Sequence, residues 1–189
     1  YKNYLKIGIS GIVGGIGLGT AMMTFIWSIT HTTVAITLLC LAAMPFITAL
    51  LGFLFLKEKL SINVWIAISV ASTGIVIMAF GSASLGSING LIFGLASAVG
   101  FSIFSVSLRW RKETPKFTTV AIAGLFTCLF SLVIMIQNDL NFFDSSKNEG
   151  LSALHGTLVC LGLILYSIGS KIIPAAELTL LSLTEVIGG

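Results

Sequence analysis

Residues 7–56 read IGISGIVGGIGLGTAMMTFIWSITHTTVAITLLCLAAMPFITALLGFLFL, fifty positions from Ile7 to Leu56 without one charged side chain. Lys57, Glu58 and Lys59 interrupt the run, and residues 60–108 then continue uncharged for another 49 positions. A hydrocarbon core about 30 Å thick is crossed by roughly 20 residues of helix, so each stretch is long enough for two crossings and a short turn. The pattern predicts two successive helical hairpins in lipid.

Composition points the same way. Of the 189 residues 56% are apolar and only 9% charged, with 20 glycines and a mean hydropathy of +1.07, whereas soluble domains carry about 25% charged residues. A net charge of +3, with no basic run interleaved with aromatics, gives no support to a nucleic-acid partner. Cys40, Cys128 and Cys160 all lie in apolar runs and lack the CxxC or Cys/His spacing of a metal site, so they read as buried small hydrophobes. The chain starts at Tyr1 and stops about 15 residues after Pro174, too few for a further crossing, and is read as a fragment. No cleavable signal is recognisable, because the apolar run after Lys6 is too long for one.

Seven apolar segments follow from the punctuation: A, residues 7–29; B, 33–56; C, 62–80; D, 88–108; E, 117–137; F, 154–173; and G, from Pro174 onward. Helices are the expected form, since an open strand would leave backbone groups unpaired in lipid. Ser61 can cap C, GSASLG at 81–86 separates C from D, Pro115 precedes E, and Pro174 suits the first turn of G. The predicted fold class is all-α, a polytopic transmembrane bundle.

Positive charges then orient it. Lys2 and Lys6 precede A, Lys57 and Lys59 lie between B and C, Arg109, Arg111, Lys112 and Lys116 between D and E, and Lys171 between F and G. Only Lys147 falls on the other side, among Asp139, Asp144 and Glu149. Nine of ten positives thus share one side of a strictly alternating path, which the positive-inside rule assigns to the cytoplasm. Trp65 and Trp110 at inner ends and Trp27 near an outer end fit an aromatic belt.

Segment A carries two faces. Gly11, Gly15 and Gly19 form overlapping GxxxG, a surface for close helix packing. Thr20, Thr24, Trp27, Ser28 and His31 occupy the opposite face, and B echoes them with Thr33, Thr37, Cys40, Met44 and Thr48. Two readings stand: hydroxyls bonded back to their own helices, or two stripes facing a shared polar cavity. The glycines at 14, 15, 17 and 19 are no dinucleotide loop, because no strand precedes them and no acid appears before Glu58. Nucleophile elbows, HExxH and paired loop carboxylates are absent, and His31 and His155 are isolated, so no catalytic residue, metal site or cofactor is expected. Glu177 sits in the first turn after Pro174, as a cap or interfacial charge. Glu185 lies eleven residues beyond Pro174, a rise of about 16 Å that brings it near the midplane. A charge there costs roughly 3 kcal/mol on insertion scales and commonly marks a substrate or proton path; a neutral structural Glu is the alternative. Tyr166 and Ser170 share a face of F, with Tyr166 either a binding aromatic or a packing residue.

Residues 45–78, PFITALLGFLFLKEKLSINVWIAISVASTGIVIM, resemble the end of the first repeat of EamA-type transporters in the drug/metabolite transporter superfamily, with Glu58, Trp65 and Gly74 at matching places. Residues 90–110 resemble the opening helix of the second repeat. Residues 166–189, YSIGSKIIPAAELTLLSLTEVIGG, resemble its P-A-x-x-x-L-L-x-x-x-E segment through Pro174, Ala175, Leu180, Leu181 and Glu185, departing at Val186 where many relatives have proline. The resemblance implies ten helices in two inverted five-helix repeats. Residues 1–86 would be the end of the first repeat (helices three to five) and residues 87–189 a truncated second (helices six to nine), so seven of about ten helices are present. Shifting A and B onto F and G by 141 positions pairs Gly15 with Gly156 and Phe25 with Tyr166, a weak internal echo.

The resulting expectation is a secondary transporter in the cytoplasmic membrane, moving a small organic metabolite by alternating access, with membrane lipids around it and proton or ion coupling. Thr24, Trp27, Tyr166 and Glu185 are the expected substrate-contacting residues, Glu185 with a coupling role. The rivals are an intramembrane lipid-modifying enzyme, which would need a cluster of acids, histidines or metal ligands at one interface, and a non-transporting membrane scaffold, which would need no polar stripes.

Overall fold

The computed structural model of the chain describes residues 8–57, 62–63, 65–66, 69–70, 73–74, 77, 88–110, 116–139, 146–170 and 172, and among these there is no strand. Six helices are defined: α1 (Ile9–His31), α2 (Val34–Leu41), α3 (Met44–Leu56), α4 (Ile88–Trp110), α5 (Lys116–Gln137) and α6 (Ser146–Gly169). With α2 and α3 taken as one 23-residue span, five helical spans are long and apolar enough to cross a membrane. Segment C is described at isolated positions, all helical, where Ser69 and Thr73 donate back to the Trp65 and Ser69 carbonyls. Segment G, with Glu177 and Glu185, and the Glu58 turn lie outside the described residues.

Segment B is not one helix. Pro45 has no N–H to donate to the Leu41 carbonyl and its ring crowds that oxygen, so the helix breaks at Ala42 and Ala43 and restarts with Pro45 in the first turn of α3. Thr33 caps α2, its Oγ1 accepting from the Ile36 N–H at 3.3 Å. α3 ends at Lys57, whose φ of 55° is left-handed and whose N–H reaches back to the Gly52 carbonyl. Segment F also differs from expectation: α6 starts at Ser146 rather than Leu154 and stops at Gly169. Glu149 in its first turn complements the positive end of the helix dipole, so polar residues continue the helix outward from its apolar part.

Helix α1 lies at the centre, with its most extensive packing against α4 and the next against α5, while α4 also covers α2 and α3. Glycine makes these approaches close. A β-carbon at Gly17 would lie 2.9 Å from the Gly100 carbonyl oxygen, and one at Gly100 would lie 2.6 Å from that of Gly17, so α1 and α4 meet backbone to backbone. A β-carbon at Gly15 would meet Ile122, and one at Gly19 would meet Phe126, both on α5. The GxxxG stripe is therefore a packing face, as expected, and Gly14 and Gly17 supply a second one toward α4.

Contacts in sequence order show how the helices run. Gly90, Gly100 and Ser107 of α4 adjoin Thr32, Gly17 and Gly14 of α1, so these two are antiparallel. Thr119, Ala123 and Phe130 of α5 adjoin Gly15, Gly19 and Trp27, so α5 is parallel to α1. Cys40 lies at Gly94 and Met44 at Ser102, so α2 and α3 run with α4. Every one of these directions agrees with the alternation read from the charges.

Leu151, Leu154, Leu158, Leu161 and Leu165 of α6 each expose more than half their surface. Shielding the surface these five side chains still expose from water is worth on the order of 4–9 kcal/mol, comparable to the stability of a small domain, so this face belongs in lipid. Cys128 and Cys160 lie on the same kind of outward surface, contrary to the expectation that all three cysteines are buried; only Cys40 is. In lipid an outward position is as apolar as the core, so hydrophobic neighbours do not distinguish the two.

Candidate functional site

A column of buried hydroxyls follows α4 through the bundle. At its outer end Ser28 Oγ donates to the Gly90 carbonyl at 2.8 Å and lies 2.7 Å from Thr37 Oγ1, tying α1, α2 and α4 together. Gly94 permits this, since a β-carbon there would press within 3.0 Å of both Cys40 Sγ and Ser28 Oγ. Next along α4, Ser97 Oγ donates to the Ala21 carbonyl at 2.9 Å. Ser102 Oγ reaches the Met44 carbonyl at 3.2 Å, directly after the α2–α3 break, and its own Ala98 carbonyl at 2.7 Å. Toward the inner end Ser105 Oγ and Tyr166 Oη are 2.6 Å apart, joining α4 to α6.

Each expected site residue has a definite place. Thr24 is buried and donates to the Thr20 carbonyl at 2.8 Å and the Ala21 carbonyl at 3.3 Å, sharing the latter with Ser97. Trp27 is half-buried between Phe93 and Phe130, with ring centroids 5.4 and 6.0 Å away. Tyr166 lies against Phe101 and Phe104 at 5.1 and 5.9 Å, beside the Leu18–Leu108 cluster. Glu185 lies outside the described residues. Among those residues, no hydrogen bond or ring contact joins Thr24, Trp27 and Tyr166 to one another.

Among the described residues, the two polar stripes meet helix α4. Helix α4 occupies the space between α1 and α3, and its carbonyls and serines engage Ser28, Thr37, Cys40 and Met44. Segment-by-segment reading missed Ser97, Ser102 and Ser105, although spacings of five and three put them on one broad face of an uncharged helix. Thr48 and Thr119 are 1% and 0% exposed, and their hydroxyls have no hydrogen-bond partner among the described residues. Such orphans are few in folded proteins, and each is capacity for a further polar contact.

Chemically, the column is neutral. It offers hydroxyl donors and acceptors to a polar organic molecule, and no described group of three or more His, Cys, Asp or Glu could hold a metal ion.

Residues 2–80 match the EamA-like transporter family. The chain is also similar to a protein of Bacillus subtilis (strain 168) named "Uncharacterized transporter YojE", 27% identical over 165 residues, a match covering 83% of this chain and 52% of that protein. The chain thus spans about half the length of the curated relative it matches. No solved structure matches it.

Proposed function

We propose that this multi-pass membrane chain, whose residues 2–80 match the EamA-like transporter family, forms part of a secondary transporter that carries a small, polar, weakly charged organic metabolite across the cytoplasmic membrane. The observation that supports this reading best is the hydroxyl column on α4. Its serines hold α1, α3 and α6 mainly by single hydrogen bonds, each worth about 1 kcal/mol net, which a substrate hydroxyl, amide or carboxylate can replace when the helices part. Alternating access then consists of exchanging helix–helix hydrogen bonds for helix–substrate ones around the midplane. Tyr166 is the substrate-contacting aromatic in this scheme, Thr24 and Trp27 line the outer approach, and Glu185 couples transport to a proton or meets a cationic group.

The test is flux into proteoliposomes holding the full-length protein, across a panel of amino acids, nucleosides and vitamins. Tyr166→Phe, which removes the hydroxyl facing Ser105 but keeps the ring stacking, should raise KM about three- to tenfold. Glu185→Gln keeps shape and hydrogen bonding and should abolish the pH dependence of initial uptake. Absence of saturable flux for every compound, or wild-type kinetics and pH profile in both variants, would overturn the assignment.

A further inference from the structure

We propose that α3 separates from α4 while α1 and α4 stay joined, and that Thr48 is the positioning residue of this motion, taking over the Met44 carbonyl when Ser102 releases it. This motion rests on the transport reading above and names the seam that opens for it.

Thr24, Thr37, Thr127 and Thr157 each donate their hydroxyl to the carbonyl four residues back, at distances between 2.8 and 3.3 Å. Thr48 does not. It is 1% exposed, and its Oγ1 has no hydrogen-bond partner among the described residues. The carbonyl it would use is that of Met44, the first residue of α3 after the break. A carbonyl oxygen has two lone pairs. The helical ladder gives one to the Thr48 N–H, and Ser102 Oγ of α4 takes the other at 3.2 Å. A neighbouring helix thus excludes Thr48 from its own carbonyl, and the closed seam holds a sealed, unsatisfied hydroxyl.

Ser102 can leave at little cost. Its hydroxyl already donates to the Ala98 carbonyl of its own helix at 2.7 Å, shorter than its 3.2 Å contact with Met44. When α3 withdraws, Ser102 keeps the shorter bond and Thr48 gains the vacated lone pair, so neither hydroxyl is stranded in a nonaqueous interior. Opening this seam relieves an unsatisfied group instead of creating one.

The α1–α4 seam is built the opposite way. Ser28 donates to the Gly90 carbonyl and Ser97 to the Ala21 carbonyl, and among the described residues neither bonds its own helix. Gly17 and Gly100 add a backbone contact that leaves no room for a side chain. At the α2–α3 break the Ala43 N–H reaches only to the Cys40 carbonyl, three residues back, which gives α3 a pivot of its own.

Labelling of single cysteines in the full-length protein, otherwise cysteine-free and reconstituted in proteoliposomes, reads both seams without a substrate. Ala98, packed against Leu41 and Met44, reports on the opening seam, and Ser97 on the α1–α4 seam. With a small hydrophilic methanethiosulfonate, Ala98→Cys should react at least about tenfold faster than Ser97→Cys. Adding Thr48→Val, which removes only the hydroxyl, should slow labelling of Ala98→Cys roughly three- to tenfold, because the closed seam loses its unsatisfied group and the open seam its compensating bond. Thr48→Ser keeps the hydroxyl and should restore the parental rate. For any compound with saturable uptake, Thr48→Val should lower kcat in the same proportion with KM little changed, while the melting temperature stays equal to or above the parent's. Thr119→Val removes another sealed hydroxyl with no partner among the described residues, on α5, and should leave labelling and kcat unchanged. Equal labelling of the two cysteines, or parental labelling and kcat in Thr48→Val, would overturn the proposal. The expected labelling without saturable flux would retain the moving seam and overturn the transport reading alone.

Discussion

Gly17 and Gly100 set the tightest constraint on any single side chain in this protein, because each would drive a β-carbon into the other helix's backbone. A backbone oxygen cannot rotate away as a side chain can, so relief requires α1 and α4 to separate along their whole length. Gly17→Leu should therefore cost at least the 1–3 kcal/mol typical of overpacking and sharply reduce the yield of folded protein. Gly15→Leu should act in the same direction, since a β-carbon there would lie 2.7 Å from the Ile122 β-carbon and 3.1 Å from the Thr119 carbonyl oxygen, neither of which can rotate away. Gly124 provides the contrast. Nothing lies within 4 Å of a β-carbon there, so Gly124→Ala should be neutral or stabilise α5 by up to about 1 kcal/mol through helix propensity. Size-exclusion profiles and unfolding titrations in mixed micelles would check all three, and normal behaviour of Gly17→Leu would show that the α1–α4 contact is not as close as described.

At the level of the element, the α2–α3 break depends on one residue. Pro45→Ala restores an N–H that can reach the Leu41 carbonyl, so the two pieces should join into one helix of about 23 residues with stability equal to or above that of the parent. Hydrogen–deuterium exchange should then slow at positions 44–46, and persistence of fast exchange there would mean that packing by α4, not proline, holds the break open. The sequence carried this signal in Pro45, yet uninterrupted hydrophobicity from Val34 to Leu56 suggested one helix. The start of α6 shows the opposite difficulty: Lys147 and Glu149 suggest a loop, but a helix end in the headgroup region tolerates charge, so hydropathy marks the membrane boundary and not the helix boundary. Glycine spacing did reveal that α1 packs closely. It could not reveal which helix receives each face, because α4 and α5 are both apolar and that choice depends on tertiary contacts.

For the whole molecule, the path of the chain was the most legible feature, because charge placement and helix length are constrained by the bilayer itself and not by detailed packing. The site was less legible: Thr24 and Ser28 read as one stripe, yet Thr24 bonds its own helix and Ser28 bonds α2 and α4. Sequence periodicity gives the face of a helix, and only the neighbouring carbonyls decide which hydroxyl is used locally. The structure orders the helices relative to one another, and nine of ten positive charges assign the absolute sides. Two positions at opposite ends of α4 and α6 test that assignment. In a cysteine-free background, Lys112→Cys just beyond α4 should be protected from an impermeant maleimide added to intact cells, whereas Ser146→Cys at the start of α6 should be labelled. Permeabilisation should expose the first and leave the second unchanged. Labelling of Lys112→Cys but not Ser146→Cys in intact cells would invert the protein in the membrane. Labelling of both from outside would break the alternation itself, since α4 and α6 could then no longer cross in the same direction.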